Sequence, residues 1–167
     1  VQFPLNLLKS HSRLQGKKRM SENNSSNPIS QPMKIMKPDT RPSNQGPVEN
    51  FTGVVEITPL VKGEEPSCLA CAQVAFNPGA RSAWHTHPRG QLLIVTKGIG
   101  LIQQWGGQIQ MIQQGDVIWT PPQVKHWHGA TPTSTMTHTA IQESLNGVVV
   151  EWLEKVTDEE YGSFKPM

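Results

Sequence analysis

From residue 51 onward, apolar and polar positions alternate in short segments rich in Val, Ile, Thr and aromatics, with Gly and Pro between them. A period of two marks strands that bury one face. The pattern predicts strands over 53–60, 69–76, 82–86, 91–97, 99–105, 108–112, 116–120, 125–128, 135–143 and 148–152. Gly106-Gly107 between two of these segments suits a tight hairpin turn. One helix is predicted, over 158–162, with Thr157 as N-cap and acidic residues in its first turn. Short strands in succession, with no amphipathic helix among them, indicate an all-β sandwich or barrel.

The first forty-five or so residues have a different texture. Residues 21–47 are rich in Ser, Asn, Pro and Gln and offer too little apolar surface to order themselves; a short strand is predicted only near 33–36. Residues 3–8 are too short and too interrupted for the apolar region of a signal peptide, and no small-residue cleavage site follows. Met20 is an alternative start that would leave residues 1–19 outside the mature protein. The expected organisation is a flexible extension over 1–45, one barrel domain over 46–162 and a tail over 163–167.

Composition changes this picture little. With 35% hydrophobic and 17% charged residues and a formal net charge of +2, the chain has no large field to recruit nucleic acid. No apolar run approaches the roughly 18–20 residues that span a bilayer. Lys9, Arg13, Lys17, Lys18 and Arg19 are read as a solvated basic tail. The two cysteines, Cys68 and Cys71, resemble half a zinc site or a redox pair. On a strand, however, an offset of three sends them to opposite faces, and no second pair completes a zinc site. They are read as structural, and a cytoplasmic location is expected.

The candidate chemistry lies in the histidines, five of which fall between residues 85 and 138. His85 and His87 are two apart, which on a strand places both rings on one face, about 6–7 Å apart at their Cα atoms. Pro88-Arg89-Gly90 breaks that strand, and Gln91 opens the next with an amide oxygen available to the same face. His126 and His128 form a second pair of the same spacing. Three imidazoles and one oxygen make a plausible open metal site, with positions left for water or substrate.

These residues resemble the cupin motifs. Gly79, His85, His87, Gln91 and Gly98 have the spacing of the first motif: Gly, five residues, His-x-His, three residues, a ligand, six residues, Gly. Gly115, Pro121 and His126 match the second. Gln91 stands where an acid is usual, and Gln123 and Ala130 stand where Gly and Asn are commoner. A neutral Gln compensates less of the metal's charge, making it a stronger Lewis acid but a more weakly bound one.

A narrower likeness covers about residues 50–162. The segments around Trp84–Pro88, Gly90–Thr96, Lys125–Thr133, Met136–His138, Ala140–Glu143 and Glu151–Glu159 are similar to the small bacterial cupins that include the manganese-dependent hydroxynitrile lyases, of the (R)-mandelonitrile lyase type. The resemblance implies a jelly-roll (double-stranded β-helix) barrel holding one divalent metal, Mn2+ or alternatively Fe2+, on His85, His87, Gln91 and His126. It implies a metal-dependent lyase that cleaves or forms α-hydroxynitriles by Lewis-acid catalysis. It places His138 in the pocket, where it is the candidate donor to the leaving cyanide; His128 is read as a general base or a supporting residue. Alternation sets Met136, His138, Ala140 and Gln142 on one face, and Ala72 with Val74 on another, small enough to admit an aryl group.

Each assignment has a plainer counterpart. His138 and His128 can be buried structural residues, Trp84, Trp119 and Trp127 barrel core, and Lys125 a solvated rim charge. Two other functions fit the ligand set: an iron-dependent dioxygenase, and a non-catalytic cupin that binds a small ligand. The expected partners are a small-molecule substrate and further copies of the chain in a homodimer or homotetramer, with neither nucleic acid nor membrane.

Overall fold

The computed structural model describes residues 32–164. The expectations about Met20 and residues 1–19 lie outside the described residues. Twelve strands and one helix follow in order: β1 (Asn44–Gln45), β2 (Phe51–Thr52), β3 (Val55–Lys62), β4 (Leu69–Phe76), β5 (Arg81–Ser82), β6 (His85–Thr86), β7 (Gln91–Gln104), β8 (Gln110–Gln113), β9 (Val117–Thr120), β10 (His126–Ala130), β11 (Met136–Glu143), β12 (Glu151–Trp152) and α1 (Asp158–Gly162). All lie in the unit Ile35–Met167. The strand expected near 33–36 is not there: Met33 and Ile35 stand exposed with no strand to pair against, and the first element is a single 3₁₀ turn at Pro38–Thr40. Among the described residues no helix is long and apolar enough to cross a membrane.

The strands curl into two faces that share β7. Its first half pairs with β11 and β9, its second with β8 and β10. The two strands predicted over 91–97 and 99–105 are therefore one strand of 14 residues that passes from one face to the other. Gly98 makes this possible, with φ +76 at the transfer point. One face continues from β11 through β4 and β3 to β1; the other runs from β10 through β5 to β2, with β6 bridging β10 and β12.

Alternation sorts the side chains. On β11, Met136, His138 and Ala140 point inward while Thr137, Thr139 and Ile141 are half-buried on the other side. Between the faces lies a core that includes Phe76, Leu93, Val95 and Met136. A second cluster, Trp84, Leu101, Trp127, Val156 and Tyr161, packs outside β10 under the C-terminal segment. There the Tyr161 hydroxyl donates to the Ala130 carbonyl at 2.7 Å. The helix has its expected bounds and its Thr157 N-cap, in a capping box with Glu160.

Two expectations are corrected. Trp84 and Trp127 are core, but Trp119 is 58% exposed on β9, where alternation turns it outward. Lys125 is no free rim charge: it pairs with Glu154 and stands over the Trp105 ring at 3.5 Å. Cys68 and Cys71 are both free thiols.

Candidate metal centre

Three short strands bring the histidines together. His126 lies directly opposite His85 in the β10–β6 pairing. Along β10, His126 and His128 face inward while Trp127 between them turns to the outer cluster. Gln91 opens β7, and His138 comes from β11, in register with Val74 and Val95. All of these histidines are buried. Ring centroids of His85 stand 4.2 Å from His126, 5.1 Å from His87 and 5.2 Å from His128. Ligand-capable nitrogens of His85, His126 and His128 lie within 4.8 Å of one another.

Hydrogen bonding fixes the tautomers. The Nδ1 of His85 meets the Ala83 carbonyl at 2.9 Å, that of His87 the Val149 carbonyl at 2.6 Å, and that of His126 the Val124 carbonyl at 2.9 Å. A carbonyl only accepts, so each Nδ1 carries the proton, and a neutral ring then keeps its lone pair on Nε2. Burial favours the neutral form. It holds His85 and His87 below the ordinary imidazole range, with His126 and His87 adding repulsion at His85, and takes His126 down to about 4.

Lone pairs are left over here, although His87 is not among the nitrogens that lie within 4.8 Å of one another. His87 Nε2 and His128 Nε2 are buried with no hydrogen-bond partner. His126 Nε2 faces Gln91 Oε1 at 3.2 Å, while the Gln91 amide nitrogen donates to Gln142 Oε1 at 3.3 Å. Two buried acceptors set against each other repel unless a cation lies between or beside them. A protein pays about 1–3 kcal/mol for each unsatisfied buried polar group, and a divalent metal would satisfy this arrangement. His128 joins the candidate ligands on distance, whereas the sequence pointed to an acid–base part for it.

Beside the cluster is a cavity of about 130 Å³ bordered by His85, His87, Gln91, His128 and His138. Ala72, Val74 and Gln142 line it, together with Ala140. His126 instead borders a second cavity of about 180 Å³ among Ile102, Ile112, Ile118 and Val124. His138 Nε2 meets His128 Nδ1 at 3.2 Å. Burial lowers His138 to about 3 and, with repulsion from His138, pushes His128 well below its usual range.

Some of the site was not foreseen. Phe51, Ile57, Val150 and Trp152 complete the cavity wall. They come from segments far apart in sequence, and nothing in an apolar residue's own segment marks the wall it will form. Gln123, where the cupin motif commonly has Gly, adopts φ +62 and donates its N–H to the His87 carbonyl at 2.9 Å. That departure in the motif is the signal that could have located it.

A family profile described as Cupin domain matches residues 72–141. Over 129 residues the chain is 54% identical to the (R)-mandelonitrile lyase of Granulicella tundricola, covering 77% of this chain and 98% of that protein. The crystal structure of a cupin-like protein from Thermotoga maritima superposes with a TM-score of 0.67 at 42% identity, over 70% of this chain and 89% of that one. The polyketide cyclase RemF from Streptomyces resistomycificus matches with a TM-score of 0.62 over 77% and 90% of the two chains. At 13% identity this last likeness concerns the fold alone.

Proposed function

The chain belongs to the cupins, in the group that resembles the hydroxynitrile lyases, and from that membership we propose that it is a metal-dependent lyase that splits α-hydroxynitriles into an aldehyde or ketone and hydrogen cyanide. The observation that carries the reading is the pair of buried acceptors His126 Nε2 and Gln91 Oε1 set against each other, with His87 Nε2 buried and unpartnered, in a chain 54% identical to a protein named for this activity. We assign the metal to His85, His87, Gln91 and His126, and take it to be Mn2+. When bound, a divalent cation supplies Lewis acidity to a hydroxyl placed beside it, with no redox change.

The chain's own groups account for the rest. Ala72, Val74 and Ala140 give the cavity an apolar wall that takes the organic substituent and keeps water out. With His128 Nδ1–H donating to His138 Nε2, the unpartnered His128 Nε2 is free to accept the hydroxyl proton. As the O–H electron pair forms the carbonyl, the C–CN bond breaks and cyanide leaves with its electron pair. Gln142, whose oxygen is engaged by Gln91, has its amide nitrogen left to donate to the nitrile, the part that the resemblance gives to His138, whose Nε2 is here taken up by His128. The proton held by His128 then goes to cyanide, so acid and base are regenerated.

The test is elemental analysis of protein purified without chelator, joined to cyanide release from racemic mandelonitrile with and without added manganese. Near-stoichiometric manganese and activity abolished in His126→Ala support the reading. Bound iron, oxygen consumption and no cyanide release would replace it with dioxygenase chemistry.

A further inference from the structure

Backbone pairing alone holds the two facing histidines weakly. β6 is two residues long, and β10 and β6 share a single register position, His126 opposite His85. Yet the two rings are oriented alike. Each donates its Nδ1–H to the carbonyl two residues upstream, Ala83 for His85 and Val124 for His126, both at 2.9 Å. The residue between carbonyl and ring is Trp84 in one segment and Lys125 in the other.

Those two side chains meet. The Lys125 ammonium stands 3.5 Å from the Trp105 ring centroid and 5.3 Å from that of Trp84, both within cation–π reach. Trp84 and Trp105 pack edge to face at 4.9 Å. The Lys125 carbonyl accepts from the Trp105 N–H at 2.9 Å. Glu154 closes the arrangement: its carboxylate pairs with Lys125 and its carbonyl accepts the Trp84 N–H at 2.9 Å, while Leu153 N–H donates to the Trp84 carbonyl at 2.9 Å. One ammonium therefore ties the segment ahead of His85, the segment ahead of His126 and the strand end at Trp105 to a common point.

We infer that Lys125 is a positioning residue for the metal site: its clamp on Trp84, Trp105 and Glu154 sets the separation and ring orientation of His85 and His126. The inference rests on the metal assignment proposed above. Groups that hydrogen-bond metal ligands commonly change metal affinity 10–100-fold when lost, and Lys125 acts on two such bonds through the segments that carry them. Arginine stacks on aromatic faces and pairs with carboxylates, so it should replace lysine here, whereas methionine keeps the stem and loses the charge.

The experiment compares wild type, Lys125→Met and Lys125→Arg by Mn2+ titration and by the Nδ1–H proton signals of His85 and His126 in chelated protein. Lys125→Met is expected to raise the Mn2+ Kd about tenfold or more and to shift or broaden both Nδ1–H signals, with Lys125→Arg restoring the Kd to within roughly threefold of wild type. A wild-type Kd and unmoved signals in Lys125→Met, even with a lowered Tm, overturn the inference and leave Lys125 a purely structural residue. If wild type binds no Mn2+, the metal assignment fails, and the Nδ1–H signals alone decide whether Lys125 orients the two rings. Should Lys125→Met not fold, Glu154→Gln, at a half-exposed position, is read the same way: unchanged Kd and signals overturn the clamp.

Discussion

Replacing Gly98 by alanine would put a methyl group where the Thr135 carbonyl already stands. A Cβ built on Gly98 falls 1.9 Å from that oxygen and 2.9 Å from its carbon. The same oxygen accepts the Ile99 N–H at 3.1 Å, so it cannot move aside without breaking a ladder bond. The backbone angle adds to this, since at φ +76 alanine is disfavoured by about 1–2 kcal/mol. Losing the hydrogen bond costs about another 1 kcal/mol and the stiffer unfolded chain returns roughly 0.4–1 kcal/mol, for a net cost of about 1–2.5 kcal/mol before any strand displacement. Gly106 is the control. Its φ is +78, nearly the same, but a Cβ there meets nothing within 4 Å. Gly106→Ala carries only the backbone penalty, offset by roughly 0.4–1 kcal/mol through a less flexible unfolded chain, for a net cost of about 1 kcal/mol. Gly98 also sits where β7 passes from the strands that carry Gln91's neighbours to the strand that carries His126 and His128. Gly98→Ala should therefore weaken metal binding as well, and Gly106→Ala should not. Urea unfolding of the two variants, with Mn2+ titration of each, checks both parts. Equal losses of stability would refute the steric account, and an unchanged metal Kd in Gly98→Ala would refute the link between the bend and the site.

Three further outcomes are expected. Gln123→Gly should raise stability by about 0.5–1 kcal/mol, because φ +62 is strained for glutamine and open to glycine, and the urea midpoint reads this directly. Chelated protein should lose stability as pH falls below about 6.5: His126 and His138 have folded-state values near 4 and near 3, so the unfolded chain binds their protons first. The stability each contributes is present in full above 6.5 and declines as pH falls, His126's share toward pH 4 and His138's toward pH 3, and urea midpoints that stay flat from pH 7 to pH 4.5 would contradict it. Ala72→Leu should occupy much of the 130 Å³ cavity and raise KM for an aryl cyanohydrin while leaving bound metal unchanged; loss of metal instead would place Ala72 in the support of the cluster.

How much of this was legible depended on whether a feature was local. β4 and α1 have the bounds their patterns predicted, because an alternating run and a capping box are written within a few residues. The run 82–86 read as one strand but is two, since Ala83 N–H bonds to the Asn50 carbonyl and Trp84 N–H to Glu154, partners that its own segment does not name. β1, only Asn44 and Gln45, exists through its pairing with Ile57 and Glu56 and has no apolar signal. Gly98 looked like a break between strands and is a bend within one, a distinction that lies in the backbone angle rather than in the residue type. The histidines were legible because their i, i+2 spacing survives on any strand. Their orientation was not, since the carbonyls of Ala83, Val124 and Val149 that fix it are common to every residue. Lys125 was misread for a related reason: its aromatic partners, Trp84 and Trp105, lie 41 and 20 positions away.

A divalent metal on imidazole Nε2 atoms and the Gln91 oxygen, as proposed, would be visible by anomalous scattering. Crystals of manganese-loaded protein, with anomalous data on both sides of the manganese edge, test it most directly. One anomalous peak is expected in the cluster, about 2.0–2.3 Å from Nε2 of His85, His87 and His126 and from Gln91 Oε1, with each Nδ1 still bonded to its carbonyl. A cluster with no peak, or a metal held through Nδ1 with those carbonyl bonds broken, would contradict it.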